Sequence, residues 1–399
     1  MTKRGEPTTA IRGQTRLVRA GRDGAITGPF VNPPVIHAST VLFDSVDDMI
    51  HRRQRYTYGR RGTPTSDALE SAVVSLENAA GAVLCPSGLS AGSVALLSCL
   101  SSGDELLIVD CVYGPVRHFA DTVLKRMGVT VTYFDPLTPA ESFGALMTAR
   151  TKAVYLEAPG SLTFEMQDVP GIAAAAKVRG ATVLCDNTWA TPYFFRPLDA
   201  GADLSIQAGT KYIGGHADVN IGTIAASAAA WPALKETHGS LGMAVGPDDI
   251  FLALRGLRTL GVRLERQMQS SFRILDWLAS RPEVTRLLTP VLPDDPGHAL
   301  WKRDMTGASG LFSVQFGGWS SAETARFIDG LALFGIGASW GGYESLAIPA
   351  RPESGRTASP WKGGGPLVRL HIGLEEPEDL IADLEASFAA VAAGEATAR

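Results

Sequence analysis

The sequence has no long run of lysine and arginine, and its formal net charge is −5. It therefore presents no basic field for a nucleic acid. No apolar stretch approaches the roughly 20 residues that cross a bilayer. The opening Met1-Thr2-Lys3-Arg4-Gly5-Glu6-Pro7 lacks the apolar core of a signal peptide, so the expected location is the cytoplasm and no membrane partner is expected. Cysteine is scarce. Cys85, Cys99, Cys111 and Cys185 are scattered through apolar segments without a C-x-x-C pair, which suits free thiols in a reducing compartment better than disulfides or a zinc site. The seven histidines never fall at ligand spacing on one predicted helix, so no metal is expected. Neither G-x-G-x-x-G after the first strand nor G-x-x-x-x-G-K-[ST] occurs, which weakens dinucleotide-dependent and P-loop readings.

What is present describes an ordinary globular chain, 45% hydrophobic and 19% charged over 399 residues. That length can bury a large core and divide into two domains and an arm. Residues 1–59 are rich in Arg, Gly and Pro, with Gly28-Pro29-Phe30-Val31-Asn32-Pro33-Pro34 as a helix breaker, and read as an extended arm. Residues 60–255 alternate helical and strand patterns, the signature of a largely parallel sheet with helices on both faces. Helices are expected near 67–80, 140–148 and 170–178, and strands near 82–86, 105–110, 129–134, 153–157 and 182–186. Residues 256–399 read as a smaller α+β domain, reached through a long helix over 247–278. In it, Pro349 to Pro366 is expected as a loop and 377–393 as the closing helix.

The chain is organised around Asp203–Thr223. Apolar Leu204–Ile206 gives way to Ala208-Gly209-Thr210-Lys211-Tyr212, then Gly214-Gly215, then a second apolar run from Val219. Lys211 is thus expected at a turn between buried segments, where desolvation lowers its pKa and exposes a nucleophilic amine. A lone loop lysine is ordinarily a surface group. Asp186 changes the weighing, since it closes Ala181-Thr182-Val183-Leu184-Cys185 at a strand end, where open α/β sheets gather ligands. Pyridoxal 5′-phosphate (PLP) chemistry needs both parts, a lysine for the aldehyde and an acid that keeps the pyridine nitrogen protonated. Three other stretches carry chemistry. Ser87-Gly88-Leu89-Ser90 between a strand and a helix makes an anion-ready turn; Tyr58-Gly59-Arg60-Arg61 is a donor-rich loop, either an anion grip or a solvated basic turn. Arg369 is a charge inside an apolar strand-like run, which must be paired, either internally or with a bound carboxylate.

Asp186-Asn187-Thr188-Trp189-Ala190, Ser205–Tyr212, Gly256–Leu264 and Ser339–Leu346 together resemble the Cys/Met-metabolism family of PLP enzymes, nearest to its bacterial cystathionine β-lyase branch. The likeness runs from about Tyr56 to the C-terminal helix. It implies an aspartate-aminotransferase-like fold (fold type I), with a mostly parallel seven-stranded sheet in the large domain and a smaller α+β C-terminal domain. It implies PLP as cofactor, a C–S lyase of methionine biosynthesis as activity, an amino-acid thioether as substrate, and a homotetramer, a dimer of dimers with shared sites. By the same resemblance Lys211 holds the cofactor and moves protons, Asp186 faces the ring nitrogen and Tyr113 stacks on the ring. Gly88, Leu89 and Thr210 bind the phosphate, joined by Tyr58 and Arg60 from an adjacent subunit. Arg369 and Ser339 take the substrate carboxylate, and Arg61 and Trp340 also face the substrate.

The chain departs from the family in three places. Ser161 stands where relatives often carry Asn against the phenolic oxygen of the cofactor, Ala208 replaces a phosphate-binding Ser, and Gly239 lies where some β-lyases place Tyr. Trp340 favours α,β-elimination over γ chemistry, and Ala338 favours neither. A γ-lyase or γ-replacement enzyme, a lyase for another cysteine conjugate, and a non-catalytic regulator on the same fold remain as alternatives.

Overall fold

The computed structural model describes residues 11–394; the reading of residues 1–7 lies outside them. Two sheets organise the chain. The first holds β1 (Gly81–Cys85), β2 (Glu105–Val109), β3 (Thr130–Phe134), β4 (Thr151–Glu157), β5 (Thr182–Asp186), β6 (Leu204–Gln207) and β7 (Gly222–Ala226), in the order β1-β7-β6-β5-β4-β2-β3. β7 runs antiparallel to both neighbours and every other pairing is parallel. Most of these strands are near-continuous apolar runs because helices cover both faces. The second sheet, β10-β11-β9-β8, is antiparallel and comprises β8 (Val284–Leu288), β9 (Leu311–Phe316), β10 (Leu346–Ala350) and β11 (Leu367–His371). This is the expected fold class.

Each sheet has its own core. One apolar cluster is built on the first sheet, with Leu69, Val94, Ile108, Tyr155, Leu184 and Ile224 among its members. The other gathers Phe312, Phe316, Phe327, Leu370, Leu384 and Phe388. Helix Leu260–Ala279 joins them, since Leu260 and Leu264 pack into the first and Ile274, Leu275 and Leu278 into the second.

Three local expectations are corrected. The helix expected over 247–278 is two helices, Pro247–Leu257 and Leu260–Ala279, parted at Arg258-Thr259. There Gly256 packs against the lysine-bearing turn, and a Cβ on it would lie 2.1 Å from the Gly214 carbonyl oxygen. Secondly, the loop expected from Pro349 contains the end of β10. That strand lies at the sheet edge, paired with β11 on one side and bridged only at Leu346, to Gly335, on the other, so the missing N–H of Pro349 leaves no central ladder bond unmade. Thirdly, the arm carries short helices, Gly13–Arg19, Gly24–Thr27 and Val46–His51. Leu17 of the first is fully buried.

Candidate active site

The C-terminal ends of β4, β5 and β6 open onto one place, and the turn after β6 carries Lys211 into it. That turn is tightly built. Thr210 Oγ1 accepts from Ile221 N–H at 3.0 Å and bonds its carbonyl at 3.2 Å, closing the loop across to β7. Beneath it, Arg263 donates to the Tyr212 and Gly256 carbonyls, each at 2.8 Å.

The Lys211 ammonium donates to Ser339 Oγ at 2.7 Å and stands 5.2 Å from the centre of the Trp340 ring. Burial, and then the positive charge of Arg369, push it down to about 8 against the opposing pull of Asp186. Arg369, on β11, donates to the Ala338 and Ser339 carbonyls at 3.2 and 3.0 Å, and burial lowers it to about 10. Among the described residues no ion pair involves Arg369. Among the described residues the internal salt-bridge reading therefore finds no partner, and a guanidinium near Lys211 retains capacity for a bound carboxylate.

Asp186 Oδ1 accepts from both the N–H (3.0 Å) and the hydroxyl (2.6 Å) of Thr188. Burial raises its pKa, while those hydrogen bonds and the Lys211 charge act the other way. Thr188 also ties this acid to the lysine turn, because its Oγ1 accepts from Ala208 N–H at 2.9 Å. Tyr113 caps helix Gly114–Phe119 just past β2, with its ring half exposed. Its N–H is held by Glu157 Oε2 at 2.7 Å. Ser161 Oγ is hydrogen-bonded to Glu157 Oε1.

Helix Gly88–Leu97 points its N-terminus at the same turn. Ser87 and Ser90 form a reciprocal capping box, which leaves the Gly88 and Leu89 N–H groups as donors at the positive end of the helix. The chain's own groups thus fit PLP: an amine with a depressed pKa, an acid, a stacking ring, and an anion-ready helix end with no side chain at Gly88.

Tyr58, Arg60 and Arg61 stand elsewhere. They line a separate cavity of about 470 Å³ with Lys235, His238 and Met243, and neither Lys211, Asp186, Tyr113 nor Arg369 borders it. Arg60 there donates to the Gly239 carbonyl at 3.1 Å. Sequence reasoning missed the roles of Glu157, Thr188 and Arg263. Glu157 carried a usable signal, since it closes an apolar strand run just as Asp186 does; Arg263 sat among several helical arginines and carried none.

A family profile described as Cys/Met metabolism PLP-dependent enzyme matches residues 14–389. The cystathionine β-lyase MetC of Escherichia coli is 43% identical over 388 residues, covering 94% of this chain and 98% of that protein. A cystathionine β-lyase of Bordetella avium is 44% identical over 364 residues, covering 89% and 91%. Among solved structures, cystathionine γ-synthase from Xanthomonas oryzae pv. oryzae in complex with cystathionine superposes with a TM-score of 0.88 at 34% identity, covering 96% of this chain and 100% of that one.

Proposed function

The chain belongs to the Cys/Met metabolism PLP-dependent enzyme family, and from that premise we propose that it is a cystathionine β-lyase of methionine metabolism. It cleaves L-cystathionine by α,β-elimination to homocysteine, pyruvate and ammonia. The observation that carries this reading is Lys211, held on Ser339, flanked by Trp340 and Arg369 and brought down to about 8.

Bound PLP supplies an electron sink for the pair left at Cα when its proton is removed. Lys211 Nζ would hold it in the resting site, and Asp186 would keep its ring nitrogen protonated. Tyr113 would lie against the ring, Ser161 would meet the phenolic oxygen, and the Gly88 and Leu89 N–H groups would take the phosphate. Thr210 would join them by exchanging its hydrogen bond to Ile221. Arg369, with Ser339, grips the substrate α-carboxylate and sets the Cα–H bond within reach of Lys211. The neutral Lys211 amine takes that proton, and Nζ then returns a proton to the departing sulfur. Trp340 walls the site beside Nζ.

The assembly is a homotetramer in which neighbouring chains complete each other's sites. Phe30, Leu42, Val46 and Ile50 of the arm are 75, 85, 73 and 69% exposed, an apolar surface that a second copy would cover. Tyr58 and Arg60 would then reach the neighbour's phosphate site, and Arg61 its substrate. No described helix is long and apolar enough to cross a membrane, and all four cysteines are free; we place the enzyme in the cytoplasm.

Product identification tests the activity. PLP-loaded protein given L-cystathionine should release pyruvate with homocysteine. Release of 2-oxobutyrate with cysteine would make it a γ-lyase instead.

A further inference from the structure

Against the Tyr113 backbone the sheet carries a second acid that the scheme above leaves unused. Glu157 ends β4 as Asp186 ends β5, and the two residues are register partners. One oxygen of Glu157 accepts the Tyr113 N–H and the other meets the Ser161 hydroxyl. Ser161 is itself fixed by its N–H on the Cys111 carbonyl at 2.9 Å. Both oxygens of Glu157 are therefore directed at residues that face the cofactor.

Two carboxyl groups at the ends of paired strands resist being ionised together. Asp186 has the stronger hold on the negative charge, since Thr188 donates to it twice and Lys211 favours its ionised form. Among the described residues no cation acts on Glu157. The titratable groups around it are Asp186 and Cys185 on β5, Tyr155 on its own strand, and Cys111 and Tyr113 in the turn after β2. Desolvation, and then Asp186, push Glu157 well above the usual carboxylate range.

A hydroxyl offers one hydrogen and two lone pairs. If Glu157 were ionised it could only accept, and the Ser161 hydrogen would be turned inward onto it. A protonated Glu157 donates to Ser161 Oγ, and the Ser161 hydrogen is freed to face the site. The Tyr113 N–H finds an acceptor in either case. We propose that Glu157 is a positioning residue that keeps its proton at neutral pH and so turns the Ser161 hydroxyl outward, as a donor to the phenolic oxygen of the cofactor. The role rests on the PLP reading of the site.

Infrared difference spectra of the cofactor-free protein, wild type against Glu157→Gln at neutral pH, read the proton directly. The wild type should show an un-ionised carboxyl stretch that the variant lacks, that shifts in D2O, and that fades only as pH is raised above neutral. Glu77→Gln, at another buried carboxyl raised to about 7, should leave that band in place. Failure of Glu157→Gln to remove a band overturns the proposal.

Visible absorbance of the lysine-linked cofactor reads the donor. In Glu157→Gln the side-chain amide donates to Ser161 at every pH, and a donor fixed on the phenolic oxygen stabilises its anion, so this variant should lower the pH midpoint. The same change in a Ser161→Ala background should have no effect, whereas equal shifts in both backgrounds contradict the relay. A protein that takes up no PLP refutes the cofactor reading itself. One that takes up PLP but shows no Glu157 band refutes this proposal alone.

Discussion

Gly88 and Ala208 meet so closely that a Cβ on Gly88 would lie 2.4 Å from the Cβ of Ala208. The N-terminus of helix Gly88–Leu97 is thereby seated on the turn that carries Lys211. Gly88→Ala must push helix and turn apart, at a cost of about 1–3 kcal/mol. The cofactor-free variant should melt earlier, and the loaded enzyme should lose PLP on dilution faster than wild type. Unchanged melting and retention would show that this contact does not hold the phosphate site together.

In the proposed scheme Lys211 must offer a neutral amine to the aldehyde. With its pKa at about 8, about a tenth of the amine is neutral at pH 7, roughly two hundred times the fraction of an ordinary lysine. The rate at which cofactor-free protein takes up PLP should rise with pH through about 8 and level off above it. A rate still climbing towards pH 10 would mean that the site does not depress this lysine. In Ser339→Ala the acceptor on Nζ is gone, and turnover should fall more than the affinity for PLP.

Arg369 has a planar fork and no internal ion pair among the described residues. Arg369→Lys keeps the charge but loses the fork. It should raise KM for L-cystathionine by roughly 10-fold or more, a loss of about 1.5–3 kcal/mol for a hydrogen bond to a charged group, and leave PLP content unchanged. Wild-type KM in this variant would remove the carboxylate role.

Arg60 lines a cavity apart from Lys211 in its own chain. If it serves a neighbour's site, Arg60→Ala and Lys211→Ala complement each other. Each alone should be nearly inactive, and co-assembled chains should recover roughly a quarter of wild-type activity, because random pairing leaves one intact site in each mixed dimer. No recovery in verified mixed oligomers would confine Arg60 to its own chain.

Much of the site was legible because it is encoded locally. Asp186 ends an apolar strand run, Lys211 interrupts two buried segments, and Gly88 opens a helix after a strand. Each pattern survives without knowing the tertiary partner. The hydrogen bond between Lys211 and Ser339 spans 128 positions, so only the resemblance brought the two to one site, and it cast Ser339 as a carboxylate ligand rather than a rest for Nζ. Pro349 hid β10 because proline marks a loop unless the strand is known to be an edge. The division at Arg258-Thr259 was invisible because both helices keep an amphipathic pattern, and the close approach of Gly256 to Gly214 beside it lies in packing. Tyr58-Gly59-Arg60-Arg61 was legible only as a donor-rich loop, and the resemblance, not the residues themselves, assigned Arg60 to another chain; its cavity apart from Lys211 is set by tertiary packing.

The central claim is that the Lys211 turn holds PLP. Borohydride reduction of the PLP-loaded protein, followed by peptide mapping, tests it most directly. The pyridoxyl label should fall on Lys211, at one per chain, and vanish in Lys211→Ala. A label on another lysine, or a protein that leaves reduction unlabelled, would contradict the account.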